Sequence, residues 1–368
     1  MRAISVSYVS FALRILPSAA TVPNLRSELS DIPTVSSFSM PTLTRDSRGS
    51  GGDCDHGAQL RCMTIDVEEC FHIEAARRTV PRSDWGLWPR RAPLCTQWLL
   101  ELLDRHACRA TFFFLGDVAR DDPQLARRVS EAGHEVASHG MFHERLDRLD
   151  ARSFKRDLVS SRKLLEDQTG APVYGYRAPS FSLVHRTAWA IDVLLEAGFQ
   201  YDASIFPVRH PSYGVRSAPD HPFWVQHGTA GATILEVPPL TWTWRGSGRM
   251  AVAGGAYLRL LPLCFAKCGL AQAAAAGRPA VLYCHPWEID KNMPRMPLPW
   301  LQRVRTYGGV SRTEQKLGNL LCLGGEWCPI RDALPHMRRL AERSAVLTLG
   351  SGAAVEVTTE EPPTRLAA

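Results

Sequence analysis

From residue 59 onward the chain alternates short apolar runs with amphipathic stretches, and that rhythm predicts its elements. A run closing on Met63, Thr64, Ile65 and Asp66 reads as a strand that delivers carboxylates into a loop. A helical period over 94–105, a strand over 110–115, a helix over 123–132 and a short strand over 134–137 come next. The order repeats as helix 153–168, strand 173–176, helix 187–197 and strand 199–201. Strands and helices that alternate in this way argue for a parallel sheet, open or closed into a barrel. Past Asp202 the rhythm loosens into an aromatic, Pro-rich region with one strand at 234–237, then resumes with a helix at 257–276 and a strand at 280–284. A Pro-rich loop follows Trp287, and a helix is expected at 312–322. Residues 21–58 are Ser, Thr, Pro, Gly and Asp with little periodicity (SRGSGGDCD at 47–55), too polar to bury a core, and the chain beyond Gly350 is similarly poor in apolar residues. An upstream start that the native protein does not use is one reading of this lead-in.

Composition narrows the class. Hydrophobic residues at 45% and charged residues at 22% of 368 fit a soluble globular chain, which excludes disorder throughout, a collagen-like polymer and a coiled coil. With no run of ~18 apolar residues, no integral membrane segment is expected. The net charge of +6 comes from Arg spread along the chain, with Lys only at 155, 163, 267, 291 and 316. No basic stripe is interleaved with aromatics, so nucleic acid is not an expected partner, and the charge would at most steer an anionic one. The ten Cys form no CxxC pair. Cys264 and Cys268 lie four apart in an Ala- and Leu-rich stretch and read as buried helical thiols. Free thiols lean toward a reducing, cytoplasmic compartment. Arg14 interrupts the apolar stretch near the start, which makes secretion the lesser expectation; peripheral membrane association is a further one.

In a parallel α/β architecture chemistry collects where strands end. Five strand ends carry polar groups: Asp66, Glu68 and Glu69; His139 and His143; Arg177; Asp202; and His285. His139 and His143 have the spacing that places two imidazoles on one side of a helical turn, as zinc sites use, but Gly140 stands where an HExxH protease needs its Glu. Alternation along a strand sends Asp66 and Glu68 one way and Val67 and Glu69 the other. Asp66 and Glu68 are therefore expected in the site, one ligating metal and one accepting a proton from metal-bound water. The other reading of Glu68 and Glu69 is that they cap the next helix. His285 is positioned to act as a general acid, and the Arg177 fork suits a carboxylate.

Seven ordered segments, TIDVEECFH (64–72), ATFFFLGDVA (110–119), GHEVASHGMFHERL (133–146), GYRAPSFSL (175–183), YDASIFP (201–207), AGGAYLRLLP (253–262) and LYCHPWEID (282–290), resemble polysaccharide deacetylases with a NodB homology domain. The resemblance is greatest to the subgroup found beside exopolysaccharide and exosortase (XrtA-type) loci, which carries a C-terminal extension. It implies a distorted (β/α) barrel and a divalent metal, commonly zinc, held by His139, His143 and a carboxylate. Asp66 matches the family's base, Arg177 the residue that orients it and His285 its general acid. Val67 stands where the family's ligand Asp is usual, so the third ligand is Glu68 or Glu69. Tyr176, Pro179, Phe181 and Trp287 would line the substrate. The implied organisation is a lead-in at 1–58, a catalytic barrel at 59–290, an extension at 291–340 and a loose tail at 341–368. The implied activity is removal of N-acetyl groups from an N-acetylated polysaccharide or oligosaccharide, probed against two alternatives: a carbohydrate-binding or assembly protein on the same barrel, and a cyclic-amide hydrolase.

Overall fold

The computed structural model describes residues 59–350 except 211, 229, 230 and 245–247, so the expectations for 1–58 and 351–368 lie outside the described residues. The expected strands form as β1 (Leu60–Val67), β2 (Ala110–Phe114), β3 (Glu135–Ser138), β4 (Gly175–Tyr176) and β5 (Tyr201–Asp202). The loosened region adds β6 (Phe223–His227), β7 (Ile234–Glu236), β8 (Thr241–Trp244) and β9 (Gly248–Ala251), and β10 (Ala280–Cys284), β11 (Glu326–Trp327) and β12 (Leu347–Leu349) follow. One sheet runs β10-β1-β2-β3-β4-β5-β7-β6-β12, with β11 beside β1, while β8 and β9 pair apart from it. Its pairs are parallel except β6 with β7, so the architecture is α/β with a mostly parallel central sheet. As a path of strand pairs it has two ends among the described residues. Beyond β7, the Leu240 N–H donates to Val281 O of β10 at 2.8 Å, and Gly254 bridges Tyr283, so later backbone approaches the free edge of β10.

Ten helices flank the strands: α1 (Ala92–Arg105), α2 (Gly116–Asp121), α3 (Leu125–Glu131), α4 (Ala151–Thr169), α5 (Ala190–Glu196), α6 (Gly255–Leu260), α7 (Leu263–Ala275), α8 (Trp300–Tyr307), α9 (Val310–Leu321) and α10 (Ile330–Ala341), counted among the described residues. Alternation divides the sheet's faces. Met63, Ile65, Val67, Phe112 and Phe114 join the large core beneath the helices. Cys62, Phe113, Ala137, Tyr201, Leu235 and Val281 face the other way, against Ile330, Ala333, Leu334 and Met337 of α10. Thus α10 covers the inner face near the strand starts, and the strand ends are left for polar side chains.

Several expectations change. The helix expected at 257–276 breaks at Pro262, which lacks an N–H and begins α7 instead. Lys316 donates to the carbonyls of Leu258, Arg259 and Leu261 at the end of α6, at 2.9, 2.8 and 2.8 Å. Cys264 and Cys268 do lie on a helix but are exposed, because the buried stripe of α7 is Ala266, Gly269, Leu270 and Ala273. The tail expected from 341 starts later: Leu347–Leu349 is β12, paired in parallel with β6.

Candidate active site

The residues at the strand ends converge. One ligand atom each from Glu68, His139 and His143 lies within 4.8 Å of the others, and all three residues are buried. Glu68 sits just beyond β1 and, as alternation requires, shares its face with Asp66. Glu69 points away: its carboxylate accepts the Arg91 N–H at 2.8 Å and the Ala92 N–H at 2.9 Å, capping the start of α1. The structure therefore separates the two roles that the sequence left open, with Glu68 beside the imidazoles and Glu69 at the helix.

The two histidines meet without a helix. Residues 139–143 are irregular backbone after β3, turned by positive φ at Gly140 (78°) and His143 (55°), which corrects the expected helical turn. A Cβ on Gly140 would fall 2.7 Å from Asp157 Oδ2, so glycine is required there for both conformation and space. That Asp157 oxygen, on α4, accepts the Met141 N–H at 2.9 Å and holds the loop. His139 Nδ1 pairs with the Arg177 carbonyl at 2.8 Å, which leaves Nε2 to face the cluster. Burial lowers the His139 pKa to about 4, against the pull of Asp66 and Glu68, so its imidazole is neutral and fit to ligate. Burial pushes Glu68 up, but His143, His285 and His139 outweigh it and hold its carboxyl well below the usual range.

The donor set fits a divalent cation. Glu68 Oε2 lies 2.9 Å from His143 Nε2, yet it is buried and has no hydrogen-bond partner. Two imidazole nitrogens and a carboxylate, pointed at a common centre rather than satisfying each other, are the chemistry of an open three-ligand zinc-type site.

Arg177 holds Asp66 beside this cluster. Its Nη1 donates to Asp66 Oδ1 at 2.7 Å and to Thr64 Oγ1 at 2.8 Å, and its Nε to the Ala203 carbonyl at 3.1 Å. The guanidinium is fully buried over the Phe113 ring, 4.2 Å from its centroid. Removing either member of such a pair would strand a buried charge at a cost of about 3–5 kcal/mol. Across the site, His285 Nε2 stands 3.8 Å from Asp66 Oδ2 and 3.7 Å from Glu68 Oε1. These distances are too long for direct hydrogen bonds, so the three groups border one point without saturating one another. Burial would lower the His285 pKa, but Glu288, Glu68 and Asp66 raise it to about 9.

Three neighbours were not singled out in the sequence for the parts they play. Trp287 stacks on His285, with centroids 5.0 Å apart, and its Nε1 donates to Glu68 Oε1 at 3.0 Å. Glu288 Oε2 accepts the His285 N–H at 3.2 Å, while its Oε1 accepts from Arg259 Nε at 2.8 Å. The signal for Glu288 was present: His285-Pro-Trp-Glu places a Glu three residues after the start of a turn, as a capping box does.

The expected substrate wall changes most. Tyr176 faces the core, its ring packed on Phe154 and Phe199 at 5.6 and 5.8 Å, because it alternates with Arg177 across β4. Pro179 and Phe181 are buried, and Phe181 packs on Phe206 and Tyr283. Trp287 supports Glu68. None of the four is exposed, so none offers an open face to a sugar ring. Asp202 also stays apart from Glu68, His139 and His143. It lies opposite Glu236 in register, and burial pushes both carboxyls up, with Glu236 raised further by the neighbouring Asp202 charge. Ser204 Oγ donates to Asp202 at 2.5 Å and accepts the Ala178 N–H at 2.7 Å, tying the pair to the turn after Arg177.

Residues 88–201 match the family model "Polysaccharide deacetylase", and residues 203–334 match "Domain of unknown function (DUF3473)". Part of the chain, residues 88–201, thus matches a polysaccharide deacetylase domain. The first match ends at Tyr201, inside β5, and the second begins at Ala203, just after it, so the two share one sheet. A chitooligosaccharide deacetylase of Sinorhizobium fredii is 34% identical over 130 residues, covering 32% of this chain and 55% of that protein. A peptidoglycan deacetylase of Helicobacter pylori is 32% identical over 118 residues, covering 32% of this chain and 39% of that protein. The matched stretch therefore spans about half or less of these relatives. Among solved structures, a Mycobacterium smegmatis protein provisionally named a polysaccharide deacetylase aligns with TM-score 0.54 at 20% identity, over 88% of this chain and all of that one. The Puue allantoinase aligns with TM-score 0.53 at 16% identity, over 81% of this chain and 98% of that one. These likenesses show a shared α/β fold.

Proposed function

We propose that this protein is a metal-dependent hydrolase that removes N-acetyl groups from an N-acetylated polysaccharide or oligosaccharide, in exopolysaccharide biosynthesis or modification. The observation that carries the reading is a three-ligand cluster, Glu68, His139 and His143, bordered by a carboxylate and an imidazole that can move protons. The relatives named as chitooligosaccharide and peptidoglycan deacetylases support the reaction class. The exopolysaccharide setting rests on the motif resemblance.

Glu68, His139 and His143 would hold the cation, zinc by the character of the donors. Bound there, it would polarise the acetyl carbonyl and make water acidic enough to attack near neutral pH. Asp66 accepts the water proton through Oδ2, since Arg177 already occupies Oδ1. His285 then gives a proton to the sugar nitrogen as the C–N bond breaks, and acetate leaves with the oxygen of the water. Glu288, anchored by Arg259, holds the His285 backbone in place for that transfer. Glu68 is one of the charges that raise the His285 pKa, and were it to hold a cation that contribution would be offset, bringing His285 closer to the pH at which it must donate.

The test measures acetate released from N-acetylglucosamine oligomers by stripped and zinc-reloaded protein. Asp66→Asn, which removes the base, and His143→Ala, which removes a ligand of the cation, are each expected to lower the reloaded rate by at least about 100-fold. Full activity in either variant would overturn the mechanism. Stoichiometric zinc with no acetate from any acetylated glycan would leave a carbohydrate-binding protein in its place.

A further inference from the structure

We propose that α8 and the loop before it form a docking face for the surface of an anionic lipid bilayer. Residues 291–313 contain five cations, Lys291, Arg295, Arg303, Arg305 and Arg312, and no carboxylate, and all five are exposed. On the same segment Trp300 is 71% exposed and Val304 52% exposed. They stand four residues apart on α8 and so share one face. Leu260, at the end of α6 and 46% exposed, lies against the end of α8: a Cβ on Gly308 would fall 2.7 Å from Leu260 Cδ2. Single exposed apolar residues are ordinary on a soluble surface, but a Trp and a Val sharing one face of a helix, within a segment that holds five cations and no carboxylate of its own, are not. Glu314, just outside the segment, lies 3.8 Å from Lys291.

The pairing of chemistries selects the occupant. A soluble polyanion would use the arginines and gain nothing from Trp300, Val304 and Leu260. At a bilayer surface the indole sits at headgroup depth, the aliphatic side chains enter the acyl boundary, and each cation gains about 1 kcal/mol from an anionic leaflet. The face is also joined to the site. The carbonyls of Arg305 and Thr306, at the end of α8, accept from Arg259 at 2.8 and 2.5 Å, and Arg259 holds Glu288 beside His285. Docking would therefore set the catalytic wall next to the membrane, whatever substrate it takes.

The test floats the full chain with vesicles of phosphatidylcholine alone and of phosphatidylcholine mixed with phosphatidylglycerol. Binding is expected to the mixed vesicles only, and to weaken as salt rises. The paired change Trp300→Ser and Val304→Ser should reduce binding by about 10-fold or more, equivalent to about 1.4 kcal/mol. Arg303→Gln with Arg312→Gln should reduce it similarly and flatten the salt dependence. Circular dichroism and acetate release from a soluble oligomer should match the unaltered protein in both variants. Absence of binding to mixed vesicles would overturn the proposal. So would equal binding by the Trp300 and Val304 variant, or salt-sensitive binding to a soluble acidic polysaccharide without binding to vesicles.

Discussion

Glu68 and Glu69 are chemically alike and adjacent, yet they sit in unlike surroundings because a strand sends successive side chains to opposite faces. Glu68 enters the cluster with His139 and His143, while Glu69 takes two backbone N–H groups at the start of α1. Their substitutions should separate cleanly. Glu68→Gln is expected to abolish stoichiometric zinc, measured by elemental analysis after dialysis, with little change in the fold. Glu69→Ala should retain zinc and lose about 0.5–2 kcal/mol of stability in urea, the usual cost of a helix cap. Zinc lost by Glu69→Ala and kept by Glu68→Gln would reverse the assignment. The alternation that predicts this split was legible in the residues. The partners of Glu69 were not, because the start of α1 is brought to it by folding.

At the level of elements, β3 and α4 cooperate to shape the loop that carries both histidines. The helix itself was legible: Asp150 caps its start, accepting the Ser153 N–H at 2.7 Å, and Gly170 ends it with a φ of 69°. What the sequence pattern missed is that residues 139–143 are not helical, since a three-residue spacing between histidines also suits a turn. Asp157 on α4 holds that turn through Met141, and burial pushes its carboxyl up to about 6 from an ordinary 3.8. The folded state then keeps a proton that the unfolded chain releases, so this group's contribution to stability falls as pH rises from about 3.8 to about 6. Asp157→Asn removes that change while its carbonyl oxygen can still accept from Met141. The melting temperature of the variant relative to the unaltered protein is therefore expected to rise across that interval and level off above it. A pH-independent difference would show that Asp157 does not titrate there.

Over the whole molecule, the segment expected to be an appended extension completes the sheet. Cys328, just after β11, donates its N–H to Arg61 O at 3.0 Å, and β12 pairs with β6. Between them α10 buries Ile330, Leu334 and Met337 against the inner face of the strands. Covering each of those side chains is worth about 1.5–3 kcal/mol, a sum comparable to the whole stability of an ordinary domain. A chain ending at residue 290 should consequently fail to fold cooperatively, whereas one spanning 59–350 should melt as a unit. Thermal melts followed by circular dichroism distinguish them, and a sharp transition in the shorter chain would restore the boundary after 290.

By itself the sequence determined the strand and helix rhythm, the faces of β1 and the identity of the polar residues at the strand ends, because those follow from local periodicity and chain chemistry. Only the tertiary structure decided which of those residues meet. Asp202, singled out on the same grounds as Asp66, turns toward Glu236 and away from the cluster. Tyr176 and Phe181, aromatic and near the catalytic motifs, are taken by the core, and Trp287 serves Glu68. Apolar character predicts burial as readily as ligand contact, and which of the two a side chain obtains depends on elements distant in sequence that fold over it.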